Sequence, residues 1–422
     1  MTEYPPASRR LRKPGRKRLG FAALTVALWA TPGMTGMLPV FRDVLQSHLG
    51  ISTAQFGLLL GIGAIPGALG AVLGGRLVDR LGPRVVMRGC LAGCAAGMTM
   101  AGFPGAYVLF LAALGVIAFF GAPLGVAATA YIVRLFPGRR RRALSFSLVA
   151  TAVAGIIFPL LAEWLLRLQR TSASVRFSDI LHVPFLIAAC AMTAGMLVYR
   201  RPRSMAPPPV ADPESPARGA AWTGRTMLLI ALLVIHGTVD NSAAAWVPRA
   251  LVCAGLTERI LEPGLVLAMF AVGYVVSRII LVLLPEHWGA RRLMIAPGII
   301  GGSLFTAGLL SGSQVWAAVG YVAGGFCWSF EYPVILSMLA GDGEKRFGSA
   351  LALAAILTGV GTFLMTNVMG YVGASAGELS LWKILFIPAL GFPLVGLGGA
   401  AYVRLFNKPS VGIGRQKRHM RA

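Results

Sequence analysis

Three polar side chains stand together on one apolar segment and are the first candidates for chemistry. The segment 226–250 is almost wholly apolar, yet it contains His236, Asp240 and Asn241. His236 and Asp240 are four residues apart, so on a helix they share one face, with Asn241 beside them. An imidazole and a carboxylate together can bind a polar solute, and a carboxylate in poorly hydrated surroundings exchanges a proton more readily near neutral pH. The spacing therefore indicates a site for binding or for proton coupling.

A simpler interpretation of the acidic residues stays open. At a rise of 1.5 Å per residue, Asp240 lies about 21 Å along a helix that begins at residue 226. At that depth its carboxylate would reach water on the far side of a membrane. Glu163, near the end of the segment 143–167, is expected to be solvated in this way.

Two more charged residues lie within apolar segments. Arg278 falls in 263–284 and Glu331 in 315–340. Ionisable groups at such positions are costly to bury and are commonly paired or functional. We expect Arg278 and Glu331 to form an intramembrane ion pair that helps to switch conformation. A second role for Glu331, as a coupling carboxylate beside His236 and Asp240, is the alternative.

The elements that must position these residues are apolar helices. The chain has 422 residues, of which 56% are hydrophobic and only 13% charged, and its mean hydropathy is +0.73. A soluble domain cannot cover its surface with so few charges, whereas about 20 apolar residues span a bilayer as a helix. The sequence predicts an all-α membrane protein with twelve transmembrane helices in two six-helix bundles. The twelve spans are 19–40, 54–77, 85–103, 107–135, 143–167, 180–199, 226–250, 263–284, 293–312, 315–340, 347–373 and 381–405.

The polar segments divide the chain and predict its sidedness. We predict a basic tail (1–18), an N-terminal bundle (19–199), a linker (200–225), a C-terminal bundle (226–405) and a second basic tail (406–422). Of the 39 Lys and Arg residues, 31 fall in the tails, the linker and every second loop when the adjoining span ends are counted with them, and seven fall in the alternate loops and their adjoining span ends. The positive-inside rule then places both termini and the linker in the cytoplasm. Membrane topology thus accounts for the net charge of +24 without a nucleic-acid partner.

The loop between the second and third spans carries a recognisable pattern. Residues 74–84 read Gly-Gly-Arg-Leu-Val-Asp-Arg-Leu-Gly-Pro-Arg. The spacing Gly-x-x-x-Asp-Arg-x-Gly-x-Arg resembles the signature loop of the major facilitator superfamily of secondary transporters, and the six-plus-six layout extends the resemblance over nearly the whole chain. The resemblance implies two bundles that move against each other around a central site.

The resemblance also implies a conformational lock made by this loop. Asp79 would dock on the helix that begins near 347–349, where free N–H groups and the helix dipole stabilise a carboxylate. Gly75 would permit close helix approach and Gly82 the tight turn. Arg80 and Arg84 would anchor the loop at the membrane surface.

In the superfamily, the first, fourth, seventh and tenth spans line the central cavity, which would place His236, Asp240, Asn241 and Glu331 near it. Polar and aromatic residues on these spans complete the expected wall, although an aromatic residue in a span more often packs or lies at the membrane interface. They are Trp29, Thr31, Thr35, Thr129, Tyr131, Trp246, Trp328 and Tyr332.

The two halves repeat a short pattern. Arg142 opens the fifth span and Gly155 follows thirteen residues later; Arg346 opens the eleventh and Gly359 follows at the same distance. Duplicated halves are expected when a site forms between two bundles.

Three departures from the family pattern bear on function. Pro83 stands where the family usually has a basic residue, the fourth span has no arginine a few residues before Gly121-Ala122-Pro123, and the fifth span lacks the Gly-rich pattern of drug antiporters. We expect secondary transport of a small solute by alternating access, with proton-coupled symport through Asp240 or Glu331 as a hypothesis. One alternative is a transporter-like receptor or scaffold without turnover. The other is efflux of apolar compounds, which the fifth span argues against.

Several other functions are not expected. No nucleotide-binding motif is present, and the five cysteines form no CxxC pair or metal spacing with histidine, so they are predicted to be packing residues. We expect no enzyme activity, cofactor or metal, and a monomer whose partners are a small-molecule or ion substrate and the lipid bilayer. The first apolar run has no cleavage site, and the expected location is a bacterial inner membrane.

Overall fold

The computed structural model describes residues 36–103, 105–136, 139–172, 177–198, 223–253, 262–285, 288, 291–342, 347–375 and 379–406. Within these ranges every regular element is helical. We refer to 36–198 as the N-terminal half and to 223–406 as the C-terminal half. The domain boundaries predicted from the sequence stay predictions.

The N-terminal half consists of seven described helices. They are α1 (Arg42–Leu49), α2 (Thr53–Gly61), α3 (Ala64–Leu81), α4 (Pro83–Gly102), α5 (Tyr107–Leu135), α6 (Arg140–Thr171) and α7 (Phe177–Val198). Ser52 begins α2 with a capping box, in which its side chain and that of Gln55 each accept from the other's backbone N–H. Gly82 separates α3 from α4 with φ of 80°, which suits glycine, and Pro83 is the first residue of α4.

The C-terminal half contains the remaining helices. They are α8 (Gly224–Cys253), α9 (Pro263–Leu283), a π-helical turn (Arg291–Ile295), α10 (Ala296–Leu310), α11 (Gln314–Trp328), α12 (Glu331–Asp342), α13 (Phe347–Ser375), α14 (Leu379–Ile384) and α15 (Phe386–Phe406). The predicted tenth span is thus divided into α11 and α12, and Glu331 is the first residue of α12.

Eleven helical stretches in the described ranges are long and apolar enough to cross a membrane. They correspond to the second to twelfth predicted spans. Residues 19–35 of the first predicted span lie outside the described residues, so the count of twelve and the sidedness stay predictions. Large apolar side chains point outward on several of these stretches, as Val108 (71% exposed) and Leu283 (74%) illustrate, and a hydrocarbon environment explains this exposure.

Helix packing is dense within each half and continues across two seams between the halves. Helix α5 packs against α3 and α4, and α10 packs against α11 and α15. Across the halves, α6 packs on α9, and α13 packs on α2 and α3.

The repeated glycines lie on these seams. A methyl group on Gly155 of α6 would lie 3.2 Å from Ala271 Cβ of α9, and one on Gly359 of α13 would lie 3.6 Å from Ala64 Cα of α3. The pattern duplicated in the sequence therefore marks close approach of the halves, which small residues permit in a membrane.

An aromatic core holds the helices of the C-terminal half together. The Trp328 ring stacks on Phe392 with centroids 3.5 Å apart, and Phe270 stacks on Tyr321 at 4.3 Å. All four side chains are buried. This core joins α9, α11 and α15 and fixes the surroundings of the polar groups described below.

Candidate functional site

Two cavities lie between the halves. One has a volume of about 480 Å³ and the other of about 520 Å³. The first extends toward the end of the bundle that carries Gly82, Arg140 and Trp288, which we call the inner end because the charge count predicts it to be cytoplasmic. The second extends toward the opposite end, which carries Asp43 and Arg249. We call them the inner cavity and the outer cavity.

The cavities meet at a set of shared residues that we call the neck. The neck is built from both halves, and its polar members come from α6, α8 and α9. Its residues are Gly121, Ala122, Thr151, Asp240, Asn241, Arg278, Ala355 and Gly359. Asp240 is half-buried and lies between the cavities, which favours its interpretation as a cavity residue over that of a carboxylate at the outer water interface.

A chain of hydrogen bonds positions Asp240. The Tyr274 hydroxyl donates to Asp240 Oδ1 at 2.6 Å, and the Trp328 indole Nε1 donates to the same hydroxyl at 2.7 Å. Trp328 is fully buried and held by its stack on Phe392. The carboxylate orientation is therefore fixed through three helices: α8, α9 and α11.

Arg278 completes the neck from α9. Its guanidinium carbon lies 4.6 Å from the centroid of the Tyr274 ring, a favourable cation–π position. Its Nη1 donates to the Leu148 carbonyl oxygen at 2.6 Å. Because Leu148 lies on α6, this bond joins the two halves at the level of the neck.

His236 and Glu331 form a buried pair beside the inner cavity. His236 Nδ1 lies 2.8 Å from Glu331 Oε2. His236 lines the inner cavity and is 2% exposed, whereas Glu331 is 0% exposed. Glu331 Oε1 has no hydrogen-bond partner among the described residues. A proton reaching Glu331 from the inner cavity would therefore pass His236.

Two expectations about the charged residues are corrected. No ion pair among the described residues joins Arg278 to Glu331: the acid pairs with His236, while the guanidinium lies on Tyr274 and reaches Leu148. Glu163, expected to be solvated, is only 5% exposed, because it packs where α6 meets α9 and lies 4.0 Å from Arg167.

Arginine side chains close the inner end. Arg141, 4% exposed, donates to the carbonyl oxygens of Leu284 at 2.9 Å, Pro285 at 2.6 Å and Trp288 at 3.3 Å. These carbonyls follow the last turn of α9, where free C=O groups and the helix dipole attract a cation. Arg140 and Arg142 add bonds across the halves, to Ala340 and Leu284 respectively. Sequence reasoning counted these arginines toward topology, used Arg142 as the start of the repeated pattern, and missed this contact.

Different contacts join the halves at the outer end. Arg249 Nη1 of α8 lies 3.3 Å from Asp43 Oδ2 of α1. Gly57 of α2 faces α13 so closely that a methyl group there would lie 3.1 Å from the Thr366 carbonyl oxygen. The described residues of the two halves thus contact each other beyond both cavities.

The signature loop is described only in part. Gly82 makes the turn, Arg80 is exposed, and Arg84 donates to the Tyr131 hydroxyl of α5 at 3.1 Å. The side-chain surroundings of Asp79 and the position of Gly75 against its neighbours lie outside the described features. The lock between Asp79 and the start of α13 therefore stays a prediction.

The other expected wall residues divide into three groups. Thr129 and Tyr332 line the inner cavity. Tyr131 and Trp246 are buried packing residues, at 6% and 0% exposure. Trp29, Thr31 and Thr35 lie outside the described residues. Tyr274 was missed by sequence reasoning, and its only signal was its position four residues before Arg278 on the same helix.

The fold and the cavities define a class: a helical membrane protein with a polar neck enclosed between two halves. The Major Facilitator Superfamily profile matches residues 22–261, more than half of the chain. The chain belongs to this superfamily.

Solved structures share the fold at low sequence identity. The fucose:proton symporter FucP of E. coli matches with a TM-score of 0.66 and 17% identity over 92% of this chain and 98% of that chain. The proton:xylose symporter XylE, bound to 6-bromo-6-deoxy-D-glucose, matches with a TM-score of 0.71 and 14% identity over 93% and 95%. A bacterial homologue of the human lysosomal transporter Spinster, inward-facing and occupied, matches with a TM-score of 0.66 and 15% identity over 94% and 98%. The comparison with curated proteins gives no match.

Proposed function

We propose that this protein carries a small solute across a membrane by alternating access, with the neck as the binding site. The observation that supports this most is that Asp240, Asn241 and Arg278 line both cavities. A solute held at the neck can thus be reached from either end when the halves separate there. FucP and XylE, which share the fold, are symporters by name, and the bacterial inner membrane is the proposed location.

The contacts between the halves indicate which bonds must break during the cycle. Opening the inner cavity requires Arg141 to release the carbonyls that follow α9 and Arg140 to release the Ala340 carbonyl of α12. Opening the outer cavity requires the Asp43–Arg249 pair and the Gly57 contact to separate. The bond from Arg278 to Leu148 crosses the neck itself, so relative movement of α6 and α9 there must break it.

Proton coupling is assigned to the His236–Glu331 pair. Glu331 is fully enclosed and Oε1 has no hydrogen-bond partner among the described residues. Burying an ionised carboxylate with an unsatisfied oxygen is costly, so a proton held by the pair is favoured in this conformation. His236 separates Glu331 from the inner cavity, which gives the proton a route to water once that cavity opens.

Counterflow tests the transport proposal. A thermal-shift screen of the purified protein against metabolites identifies a solute, which is then used in proteoliposomes. We expect labelled external solute to enter liposomes preloaded with unlabelled solute. Binding without exchange would contradict the proposal and support the receptor alternative. If apolar drugs are the only compounds that bind and exchange, efflux is supported instead.

A substitution at the proton pair tests the coupling. Glu331→Gln keeps the shape but cannot ionise. In proteoliposomes with an imposed pH gradient, we expect this variant to lose accumulation at least tenfold while retaining counterflow. A protonophore should abolish accumulation in the wild type only. Accumulation that is unchanged in Glu331→Gln contradicts the assignment to this pair. If only Asp240→Asn loses accumulation, proton coupling is assigned to the neck instead.

A further inference from the structure

We propose that the transported solute is a small zwitterion whose cationic group binds Asp240 and whose anionic group binds Arg278. The inference rests on the proposed transport function and adds the chemical class of the solute.

The first argument is charge balance. Of the described residues that line either cavity, Asp240 and Arg278 are the two with opposite formal charges. The remaining one whose side chain can become a cation is His236, which is already paired with Glu331. The neck therefore carries no net charge but has one positive and one negative pole. A solute with a single charge would satisfy one pole and leave its own charge opposed by the other, whereas a zwitterion satisfies both.

The second argument is that the two poles are kept apart. No ion pair among the described residues joins Asp240 to Arg278. Tyr274 lies between them: its hydroxyl donates to the carboxylate, and its ring lies under the guanidinium. Opposite charges in one enclosed site normally pair directly. A spacer that prevents this leaves each charge available to a ligand.

The third argument is the set of unused hydrogen-bonding groups. Arg278 is more than nine-tenths buried, at 6% exposure, and its Nε has no partner among the described residues. A buried N–H of this kind costs free energy unless something accepts from it. Arg278 lines both cavities, and a carboxylate is the acceptor whose geometry suits a guanidinium. Asp240 is half-buried, is held by the Tyr274 hydroxyl bond to Oδ1 and lines both cavities, where its carboxylate can meet a ligand ammonium.

The residues that line the inner cavity indicate the character of the solute apart from its two charged groups. Apart from the neck, most residues that line the inner cavity are apolar, chiefly leucines, and its polar residues are Thr129, Ser147, His236, Tyr332 and Thr358. A sugar carries hydroxyls on every side, and many of them would lose water here without a partner. A short apolar substituent on a zwitterionic head suits these walls and the volume of about 480 Å³.

Matched ligands on the purified wild-type protein test the inference. The panel contains the twenty free L-amino acids and glycine betaine, the methyl ester and N-acetyl derivative of each amino acid, and D-glucose, D-xylose and L-fucose. We expect at least one zwitterion to raise the melting temperature and to bind at least tenfold more tightly than its ester, its N-acetyl derivative and every sugar. A sugar or a singly charged derivative that binds equally well overturns the inference, and so does a panel in which no zwitterion binds.

Two substitutions assign the ends of the ligand. Asp240→Asn should weaken the zwitterion at least tenfold and the N-acetyl derivative less, because the latter lacks the ammonium. Arg278→Gln should weaken the zwitterion and spare the methyl ester, with Arg278→Lys restoring part of the affinity. The same loss for all three ligands in both variants overturns the assignment. If Arg278→Gln does not fold, Asp240→Asn and the wild-type panel still decide.

Counterflow separates the two proposals. Exchange of a sugar or a net-charged solute would leave the transport function standing and overturn the zwitterion inference. Tight zwitterion binding without exchange would support the inference and contradict transport.

Discussion

The contact made by Arg141 at the inner end leads to the most quantitative prediction. Arg141→Gln removes a guanidinium that donates to three carbonyl oxygens of the opposite half, at 2.9, 2.6 and 3.3 Å. In an inward-open state these bonds are broken and water solvates the side chain. The substitution therefore destabilises the inner-closed state relative to the inner-open one.

The size of the effect follows from the bonds lost. A hydrogen bond to a charged group contributes about 1.5–3 kcal/mol. Glutamine retains one donor group, and water compensates part of the loss in the open state. A net shift of about 2–4 kcal/mol is therefore expected, which changes the ratio of inner-closed to inner-open protein roughly 30- to 1,000-fold.

Thiol accessibility measures this ratio. Ser147 lines the inner cavity and is 6% exposed, so Ser147→Cys in an otherwise cysteine-free chain reports opening of that cavity. In inside-out vesicles, we expect Arg141→Gln to raise the rate of labelling by a membrane-impermeant maleimide at least tenfold. Arg139→Gln is the matched control, because it removes the same charge from an exposed position two residues away, and its rate should stay within twofold of the parent.

Equal labelling rates in the two variants would refute the reasoning. They would mean that Arg141 does not hold the inner end closed, whatever its contacts. Size-exclusion profiles of both variants must match the parent, so that faster labelling cannot arise from unfolding.

Three further predictions follow from other contacts. Gly57→Leu should hold the outer end open, because Gly57 faces the Thr366 carbonyl and Gly370. A cysteine probe at Thr366→Cys should then be labelled at least tenfold faster in right-side-out vesicles than in the parent. Gly89→Ala, at a glycine in open space, should leave the labelling rate unchanged, and equal rates for Gly57→Leu and the parent would contradict the contact. Trp328→Phe removes the donor to the Tyr274 hydroxyl. It should lower the free energy of unfolding by about 1–2 kcal/mol and the melting temperature by a few degrees. Trp316→Phe, which alters a side chain 62% exposed on the same helix, should leave the melting temperature unchanged, and equal melting temperatures for the two variants would count against the network. Asp79→Ala should slow counterflow without changing the order of preferred solutes, and a change of selectivity alone would rule out a lock.

The sequence predicts the helices well because burial in lipid imposes a simple rule. A run of about 20 apolar residues must be helical to satisfy its backbone, and eleven of the predicted spans correspond to helical stretches in the described ranges. The glycines of the repeat, Gly155 and Gly359, lie where the halves meet, a position that the repeat itself did not predict.

The partners of the charged residues could not be predicted in the same way. His236, Arg278 and Glu331 lie on three different helices that are apolar on nearly every face, so no periodicity indicates which face turns inward. The pairing of Glu331 with His236 rather than Arg278 depends on helix rotation and on Tyr274, which occupies the space beside the guanidinium. The acceptors of Arg141 are backbone carbonyls, which every residue possesses and which no sequence pattern identifies.

The central claim is that one site faces each side of the membrane in turn. Thr151 lines both cavities and carries no charge, so Thr151→Cys in a cysteine-free chain reports access from either end. With an impermeant maleimide, we expect labelling in right-side-out and in inside-out vesicles, with the first favoured by Gly57→Leu and the second by Arg141→Gln. Labelling from only one side, unaffected by either variant, would contradict alternating access.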